Sequence, residues 1–370
     1  MIGDSARFNA YAKAISRSVR PGDVVAEIGC GPAVFSLLAC RAGAKRVYAI
    51  EIEDIIDVAR QIAVANGFAD RIQFFQSDSR KVELPERVDV IVSDIRGVLP
   101  LFDGAVASLH DARKRFLAPE GVLIPRRDVL KVAIIESEKI YSNLASPWKT
   151  CVSRVKLSIP LQLVLNTCHR ITVEFDQLIS GPEALCTLDY MGNPGPDVSG
   201  KLVFRANRSG TAHGICVWFE TELYEDIGFS AGPESSTIYG QLFLPWLDPV
   251  LIEERQEISV DLHANLVGKD YIWRWETETT PREGGEKVHF RQSTFEGANV
   301  SSHTLRRHVI DYVPVLTAEG EAERFLMGAM DGRASLEEIA KRAAERFPKV
   351  YSSHVEAFER VSELAREFSR

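Results

Sequence analysis

The first part of the chain alternates short apolar runs with stretches of helical periodicity, and this pattern restricts the possible folds more than any other feature. The apolar runs predict β-strands at residues 24–28, 46–50, 72–76, 88–92 and 121–124, with helices at 35–42, 55–66 and 105–115 between them. Strands that alternate with helices form a parallel sheet that is covered by helices on both faces. We therefore predict an α/β domain over residues 1–128.

The residue pattern of the sequence changes after residue 128. Short runs rich in Val, Ile, Thr and Leu are separated by turn signals such as MGNPGP, ANRSG and SAGPESS, which is typical of antiparallel hairpins. We expect a β-barrel-like domain over residues 129–302, with a short helix near 140–149 and a polar linker at 277–302. Residues 303–370 predict a small helical domain, in which Ser335 and Glu338 have the spacing of a capping box.

Composition excludes several classes of protein. The 370 residues carry a formal net charge of −8, which disfavours sequence-independent nucleic-acid binding because that binding requires positive charge along the phosphates. The chain has no apolar run of membrane-spanning length and no signal-peptide core, so we expect a cytoplasmic protein without a membrane partner. Six scattered cysteines without a Cys-x-x-Cys pair predict no metal site.

A glycine-rich turn follows the first predicted strand. Glu27, Gly29, Cys30 and Gly31 belong to a Glu-x-Gly-x-Gly sequence, and Glu51 ends the second strand. Glycines let a ligand approach the backbone, and an acid at the end of the second strand can accept hydrogen bonds from both ribose hydroxyls. The pattern predicts an adenosine site, and the alternative is a tight structural turn.

The glycine turn resembles motif I of the class I methyltransferases. A dinucleotide-binding turn has a third glycine where this chain has Val34, whereas the methyltransferase ligand, S-adenosylmethionine, has no pyrophosphate to bind. The resemblance implies a Rossmann-like domain and S-adenosylmethionine as the cofactor. It also implies that Ile52, beside Glu51, binds the cofactor and that Asp78 and Ser79 face the adenine. For Asp78 and Ser79 a solvated turn is the alternative.

Two acids follow the fourth predicted strand, in the sequence SDIRGVLPLFD. Ligands of doubly wound sheets lie at the carboxyl ends of the strands, so Asp94 and Asp103 should face the reactive end of a bound cofactor. Two carboxylates suit a planar guanidinium, which offers several N–H donors. The alternatives are a surface role for Asp94 and a helix N-cap at Asp103.

The same stretch resembles the loop of the protein arginine methyltransferases that reads Ser-Glu-x-x-Gly-x-x-x-x-x-Glu, in which two glutamates bind the substrate arginine. MIGDSARFNAYAKAI, HDARKRFLAPEGVLIP, AHGICVWFETEL and GPESSTIYGQLFLPW resemble further motifs of that family, in the same order over residues 1–278. The resemblance implies that Arg7 pairs with the carboxylate of the cofactor. It also implies that residues 237–239 replace the Thr-His-Trp loop of the family, which adds Tyr239 to the catalytic set.

Several positions depart from the family pattern. Asp94 and Asp103 are one carbon shorter than the glutamates, which withdraws each carboxylate by about 1.5 Å. Ile238 replaces the histidine and cannot donate a side-chain hydrogen bond or carry charge. Arg96 stands where the family usually has methionine; if it points inward, we expect it to pair with an aspartate and to repel a guanidinium.

The sequence therefore predicts an S-adenosylmethionine-dependent N-methyltransferase that acts on a guanidinium group in a protein, in a peptide or in free arginine. The alternatives are a different small-molecule or peptide acceptor, and a cofactor-binding scaffold without activity. Residues 315–347 weakly resemble winged-helix domains that bind leader peptides, which implies a peptide partner; a helical cap is the alternative. The oligomeric state stays open, with a homodimer as one alternative.

Overall fold

The computed structural model describes residues 3–102, 104–149, 155–280, 287–299, 301, 305–307 and 309–369. The chain divides into two compact units, one over residues 1–299 and the other over residues 300–370. The first unit contains one parallel sheet and two antiparallel sheets.

The parallel sheet of the first unit contains the five strands that the apolar runs predict. The strands are β1 (Val24–Ile28), β2 (Arg46–Glu51), β3 (Ile72–Gln76), β4 (Val88–Ser93) and β5 (Leu117–Ile124). Their order is β3-β2-β1-β4-β5, so the direction of strand addition reverses between β1 and β4. A ligand cleft is expected at the carboxyl ends of the strands beside such a reversal.

Helices connect most of these strands, and a further helix precedes them. The helices are α1 (Ser5–Ser18), α2 (Val34–Ala42), α3 (Ile55–Ala65) and α4 (Ala105–Phe116). The last three confirm the predicted helices to within one residue at each end, whereas the apolar runs did not predict α1. Tyr11 of α1 stacks on Phe35 of α2, with 4.6 Å between the ring centroids. The Tyr11 hydroxyl also donates to the carbonyl of Ser93 at 2.9 Å, which fixes α1 over the end of β4.

The antiparallel region follows, as the sequence predicts. Its strands are β6 (Arg127–Ile135), β7 (His169–Ile171), β8 (Glu183–Asp189), β9 (Val198–Arg205), β10 (Gly210–Tyr224), β11 (Ile227–Ser230), β12 (Gln241–Ile252), β13 (Glu257–Val267), β14 (Asp270–Thr279) and β15 (His289–Ser293). One sheet has the order β7-β12-β10-β6-β8, with β11 paired to β10, and the other has the order β15-β14-β13-β9. Fully buried Phe219, Trp246 and Trp275 belong to one core that draws on both sheets. Aromatic side chains of this size contribute a large part of the apolar area that a core removes from water.

Two helices lie between β6 and β7. Helix α5 (Glu138–Lys149) confirms the predicted short helix, and α6 (Ser158–Leu165) was not predicted. Tyr141 and Leu165 pack with Trp218 and Phe243 of the first antiparallel sheet. Residues 150–154, which join the two helices, lie outside the described residues.

The predicted polar linker at residues 277–302 is wrong in its described part. Strand β14 continues to Thr279, β15 pairs with it, and a single helical turn, α7 (Thr294–Gly297), follows. Polar Thr277 and Gln292 in this stretch are buried rather than solvated. A polar composition therefore does not mark a linker at this point.

The second unit contains the helices α8 (Ala318–Ala329), α9 (Leu336–Arg346) and α10 (His354–Phe368). They bury a small core of their own that includes Leu326, Ile339 and Val361. The capping box predicted before α9 is confirmed: Ser335 Oγ accepts from Glu338 N at 3.3 Å, and the Glu338 carboxylate accepts from Ser335 N at 2.8 Å. Throughout the described parts of both units, no helix combines the length and apolar character that crossing a bilayer requires.

Candidate active site

A cleft of about 520 Å³ opens at the carboxyl ends of the parallel strands. The predicted cofactor residues that line it are Gly29, Glu51, Ile52, Asp78 and Ser79. The predicted cofactor residues outside this lining are Arg7, Glu27, Cys30 and Gly31. The cleft lies where the strand order predicts a ligand site.

Glu51 is oriented by three backbone N–H groups. Its Oε2 accepts from Gly31 N at 2.8 Å, and its Oε1 accepts from Ile52 N at 2.8 Å and from Glu53 N at 3.1 Å. The φ of Gly31 is +49°, a conformation that glycine adopts at low cost. Oε1 accepts two bonds, whereas Oε2 accepts one and keeps a second lone pair, so Glu51 is preoriented and Oε2 can still accept from a ligand.

Gly29 lies directly against Ile95, in the loop that follows β4. Its φ is +71°, and a Cβ at this position would overlap Ile95 Cγ2. Only glycine therefore fits both the turn and the close approach of that loop. Ile95 covers one face of the glycine turn.

Glu27 and Cys30 support the glycine turn from inside the protein. The Glu27 carboxylate accepts from the N–H of Ser36 at 2.7 Å and also from the Ser36 hydroxyl. Burial raises the pKa of the Glu27 carboxyl to about 8, although the Ser36 hydrogen bonds act in the opposite direction. Burial also raises the pKa of the Cys30 thiol, which therefore stays protonated.

Asp78 and Ser79 form another wall of the cleft. The Asp78 carboxylate accepts hydrogen bonds from Arg80 at 2.7 to 3.1 Å, and these bonds lower the pKa of Asp78 to about 2. The Ser79 side chain is buried, and its carbonyl accepts from Arg115 at 2.7 Å. Asp78 is therefore ionised at neutral pH and forms an ion pair with Arg80, which lines the same cleft.

Asp94 lies at the end of β4, and both of its oxygens are bound. Oδ2 pairs with Arg7, while Oδ1 accepts from Arg96 Nη1 at 3.0 Å and from the Tyr239 hydroxyl at 2.6 Å. The side chains of Arg7, Arg96 and Asp94 are at most 5% exposed. Three predicted site residues, Arg7, Asp94 and Tyr239, thus meet in one buried cluster.

Arg96 joins this cluster to the antiparallel sheet. Its Nε and Nη2 donate to the two oxygens of Asp128, both at 3.0 Å, in a bidentate fork. Nη1 also donates to the Tyr11 hydroxyl at 2.7 Å, and Nη2 donates to Thr221 Oγ1 at 2.9 Å. Burial opposes the charge, but Asp128 and Asp94 hold the pKa of Arg96 above its usual value. Arg96 therefore points inward and pairs with an aspartate, as expected for an inward side chain.

Sequence reasoning missed the partners of Arg96 other than Asp94. Asp128 is fully buried in β6 and also accepts from the Tyr190 hydroxyl at 2.7 Å. An aspartate at the start of a strand is ordinary, and Tyr11 and Thr221 lie on elements that are far apart in the sequence. No local pattern marks these side chains as members of one site.

A second cleft, of about 480 Å³, adjoins the first. Arg96 and Phe102 line both clefts and form their common wall. The remaining lining is mostly apolar and comprises Gly97, Val98, Leu99, Leu101, Arg170, Ile238, Tyr239, Leu242 and Trp273. Arg170, which is exposed, donates to the carbonyl of Ile238. Two arginines therefore line this cleft.

The loop at residues 237–239 is held to α1. Asp4 caps that helix by accepting from Arg7 N at 3.1 Å with Oδ1, and its Oδ2 accepts from Ile238 N at 2.9 Å. One carboxylate thus connects the helix that carries Arg7 to the loop that carries Tyr239. Asp103, the second acid of the predicted pair, lies outside the described residues.

Comparisons with known proteins identify the family. Residues 11–125 match the family model described as "Ribosomal protein L11 methyltransferase (PrmA)", and residues 197–305 match "PRMT5 oligomerisation domain". Protein arginine N-methyltransferase 1 of Schizosaccharomyces pombe is 30% identical over 247 residues, which cover 64% of this chain and 71% of that protein. The chain belongs to the protein arginine N-methyltransferase family. This result confirms the family predicted from the sequence motifs.

Other members of the protein arginine N-methyltransferase family show how much of the chain is shared. Probable protein arginine N-methyltransferase 6 of Arabidopsis thaliana is 30% identical over 245 residues, which cover 64% of this chain and 54% of that protein. The chain thus spans about half the length of that relative.

Solved structures of arginine N-methyltransferases confirm the predicted fold class. The Trypanosoma brucei PRMT1 enzyme-prozyme heterotetrameric complex with AdoHcy has a TM-score of 0.74 at 21% identity, covering 79% of this chain and 95% of that chain. Arabidopsis thaliana protein arginine methyltransferase 10 has a TM-score of 0.71 at 20% identity, with the same coverage. The chain therefore shares their architecture of a Rossmann-like domain followed by a β-barrel-like domain.

Proposed function

We propose that this chain is an S-adenosylmethionine-dependent N-methyltransferase that acts on the guanidinium group of arginine, in a protein, in a peptide or as the free amino acid. Membership of the family supports this proposal, because its relatives are named protein arginine N-methyltransferases and one structural neighbour is a complex with AdoHcy. The proposal names S-adenosylmethionine as the cofactor and an arginine-containing molecule as the partner.

The guanidinium binding of Asp94 carries the proposal. Its carboxylate, beside the first cleft, pairs with the guanidinium groups of both Arg7 and Arg96. The Arg96 guanidinium also lies over the Phe219 ring, 5.3 Å from its centroid. A carboxylate together with an aromatic face is the chemistry that binding an acceptor arginine requires.

The residues of the first cleft fit the proposed cofactor. Its volume of about 520 Å³ lies within the range of small-molecule sites. Glu51 would accept hydrogen bonds from the ribose hydroxyls, and Gly29 offers backbone without a Cβ. Arg7, which lies outside the lining of this cleft and pairs with Asp94, would bind the carboxylate. The cofactor would supply a methyl group on a cationic sulfonium. Gly29 and Ile95 line the same cleft, so a ligand on the glycine turn would contact Ile95 as well.

Asp94 would orient the acceptor nitrogen toward that methyl group. A bond between the nitrogen and the methyl carbon forms as the bond between sulfur and that carbon breaks, and the nitrogen loses a proton. Burial and the charge of Asp94 raise the pKa of the Tyr239 hydroxyl, so this group stays protonated. Tyr239 would therefore orient Asp94, while a carboxylate takes the proton. We propose a binding role for Asp103 as well.

One observation favours a second candidate, methyl transfer to an acceptor that is not a guanidinium. Arg96 and Arg170 both line the second cleft. The charge of Arg96 is paired with Asp94 and Asp128, whereas exposed Arg170 donates to the carbonyl of Ile238 and would repel a cationic acceptor that enters the cleft. A neutral or anionic nitrogen or oxygen would meet no such repulsion.

Transfer of a labelled methyl group distinguishes the candidates. We would incubate the full chain with methyl-labelled S-adenosylmethionine and free arginine, arginine peptides, the same peptides with lysine at each arginine, or a lysate, and locate the label by mass spectrometry. Label on guanidinium nitrogen supports the proposal, and label confined to other acceptors supports the second candidate. Binding of S-adenosylhomocysteine without any transfer would indicate a scaffold.

Two variants test the role assigned to Asp94. Asp94→Asn removes the charge that binds the guanidinium, and we expect it to abolish the transfer. Asp70→Asn changes an exposed aspartate of the same region and should leave the transfer unchanged. Equal activity of the two variants would contradict the role of Asp94.

Further partners are also proposals. Apolar side chains that are at least 40% exposed occur on α3 (Ile55, Val58 and Val64) and near α6 (Val155 and Ile159). They support a homodimer, which light scattering of the full chain would test.

A peptide partner for the second unit and a cytoplasmic location are further proposals. Peptide titration would test the first, and cell fractionation would test the second.

A further inference from the structure

Arg7 and Arg96 hold opposite oxygens of Asp94, but they are anchored differently. Arg96 donates to Asp128, Tyr11 and Thr221 as well as to Asp94 Oδ1. The contacts of Arg7 include its ion pair with Asp94 Oδ2 and a distance of 3.7 Å from its Nε to Asp4 Oδ2. Moving Arg96 would break the bidentate fork with Asp128, whereas moving Arg7 leaves that fork intact.

Asp94 Oδ2 is therefore the oxygen that an acceptor guanidinium can bind once Arg7 has moved. Oδ1 is shared by Arg96 and by the Tyr239 hydroxyl, and both groups are buried. An acceptor guanidinium that approached while Arg7 stayed in place would become the third cation on one carboxylate. Like charges at that spacing in a buried site repel strongly.

We propose that Arg7 couples the two ligand sites, acting as a positioning residue that occupies Asp94 Oδ2 until a carboxylate on the bound cofactor draws its guanidinium away. This inference rests on the proposed function. It predicts that the cofactor binds before the methyl acceptor, since Asp94 Oδ2 becomes available to the acceptor only after the cofactor has bound. A cofactor analogue without a carboxylate should fill the cleft and leave Asp94 occupied.

Two contacts would connect the movement of Arg7 at the cofactor site to the acceptor site. Ile95 lies against Gly29, lines the first cleft and is adjacent to Asp94 in the chain, so a ligand on the glycine turn would also contact the loop that carries the acid. Asp4 accepts from Arg7 N and from Ile238 N, so the helix that carries Arg7 is bonded to the loop that carries Tyr239. Both contacts favour a concerted response of the cofactor and acceptor sides.

The test compares acceptor affinity in three states of the full chain. Acetyl-arginine amide is titrated by calorimetry into protein alone, into protein saturated with 5′-methylthioadenosine, and into protein saturated with S-adenosylhomocysteine. Only S-adenosylhomocysteine carries the carboxylate. We expect it to raise the affinity about 5- to 150-fold, the usual range of coupling between sites, and 5′-methylthioadenosine to have no effect.

Variants of Arg7 decide the matter even if 5′-methylthioadenosine binds weakly. With Arg7→Met, acetyl-arginine amide should bind the protein alone as tightly as it binds the wild-type complex with S-adenosylhomocysteine, and the nucleoside should no longer matter. Arg7→Lys retains the charge and should restore part of the coupling. Arg17→Met, which changes an exposed arginine of the same helix, should behave as wild type.

The possible outcomes separate this inference from the proposed function. If S-adenosylhomocysteine binds and the arginine probe binds equally in all three states, the coupling is wrong and the function stands. If S-adenosylhomocysteine does not bind, or the probe binds in no state, the proposed function is wrong. Crystals grown with each nucleoside provide an independent check: Arg7 should leave Asp94 with S-adenosylhomocysteine and stay with 5′-methylthioadenosine.

Discussion

The Tyr239 hydroxyl donates to Asp94 Oδ1 at 2.6 Å, which joins a loop of the antiparallel region to the end of β4. The two residues are 145 positions apart in the sequence, and both side chains are buried. Asp94 is proposed to bind the methyl acceptor. The bond from Tyr239 makes the orientation of the Asp94 carboxylate depend on the antiparallel region.

Tyr239→Phe should lower kcat more than it changes the KM for S-adenosylmethionine. Hydrogen bonds to charged groups contribute about 1.5–3 kcal/mol, so we expect a loss of roughly 10- to 150-fold in kcat. Tyr271→Phe is the matched control, because its hydroxyl donates to the carbonyl of Pro196 outside the site. Equal kinetics for the two variants would remove Tyr239 from the catalytic set.

Arg96→Met should destabilise the protein strongly. The substitution leaves buried Asp128 without its fork, and removing one partner of a buried ion pair costs about 3–5 kcal/mol. The double variant Arg96→Met with Asp128→Asn should recover part of that loss. Urea unfolding measures both variants, and Arg17→Met, in an exposed ion pair, should cost less than about 1 kcal/mol. A small effect of Arg96→Met would contradict the anchoring role.

Gly29→Ala should cost more stability than Gly31→Ala. Both residues have a positive φ, but only the new Cβ at position 29 would meet another side chain, Ile95. Overpacking typically adds about 1–3 kcal/mol to the backbone strain. Adding Ile95→Ala to Gly29→Ala should relieve that extra cost, as thermal unfolding of the three variants would show. If the two single variants are equally stable, Ile95 does not cover the turn as described.

Glu27 should make stability depend on pH. Burial raises the pKa of the Glu27 carboxyl in the folded protein to about 8 from 4.5. The contribution of Glu27 to the free energy of unfolding is therefore fully present below pH 4.5 and is lost as the pH rises through about 8. The free energy of unfolding of the wild type should therefore fall relative to that of Glu27→Gln over this interval, by about 1.4 kcal/mol for each pKa unit of difference. Glu53→Gln, at an exposed position, should follow the wild type. Parallel pH profiles for the wild type and Glu27→Gln would contradict the raised pKa.

Local patterns in the sequence were enough to predict the parallel sheet and the capping box at Ser335. Each strand of that sheet reads as an apolar run because the sheet is covered on both faces, and a capping box lies within four residues. Strand β15 was missed for the opposite reason. Its buried Gln292 donates to the carbonyls of Leu165 and Pro245, which are 127 and 47 positions away, so the partners that stabilise it are not local.

The cluster around Asp94 shows the same limit. Motif resemblance selected Arg7, Asp94 and Tyr239 as single residues. It could not predict which of them contact each other, because their partners are distant in the sequence. Arg7 is 87 positions from Asp94, and Arg96 is 32 positions from Asp128. Whether Arg96 pointed inward could be decided only by the packing of β6 and β10 beside it.

The fork between Arg96 and Asp128 has a consequence for the way the first unit unfolds. Arg96 follows a strand of the parallel sheet, whereas Asp128 belongs to the first strand of an antiparallel sheet. A fragment cut between these two positions would keep a guanidinium or a carboxylate in its interior with its opposite charge on the other piece. The two sheets should therefore melt in a single cooperative transition, and neither half should be a good candidate for expression alone.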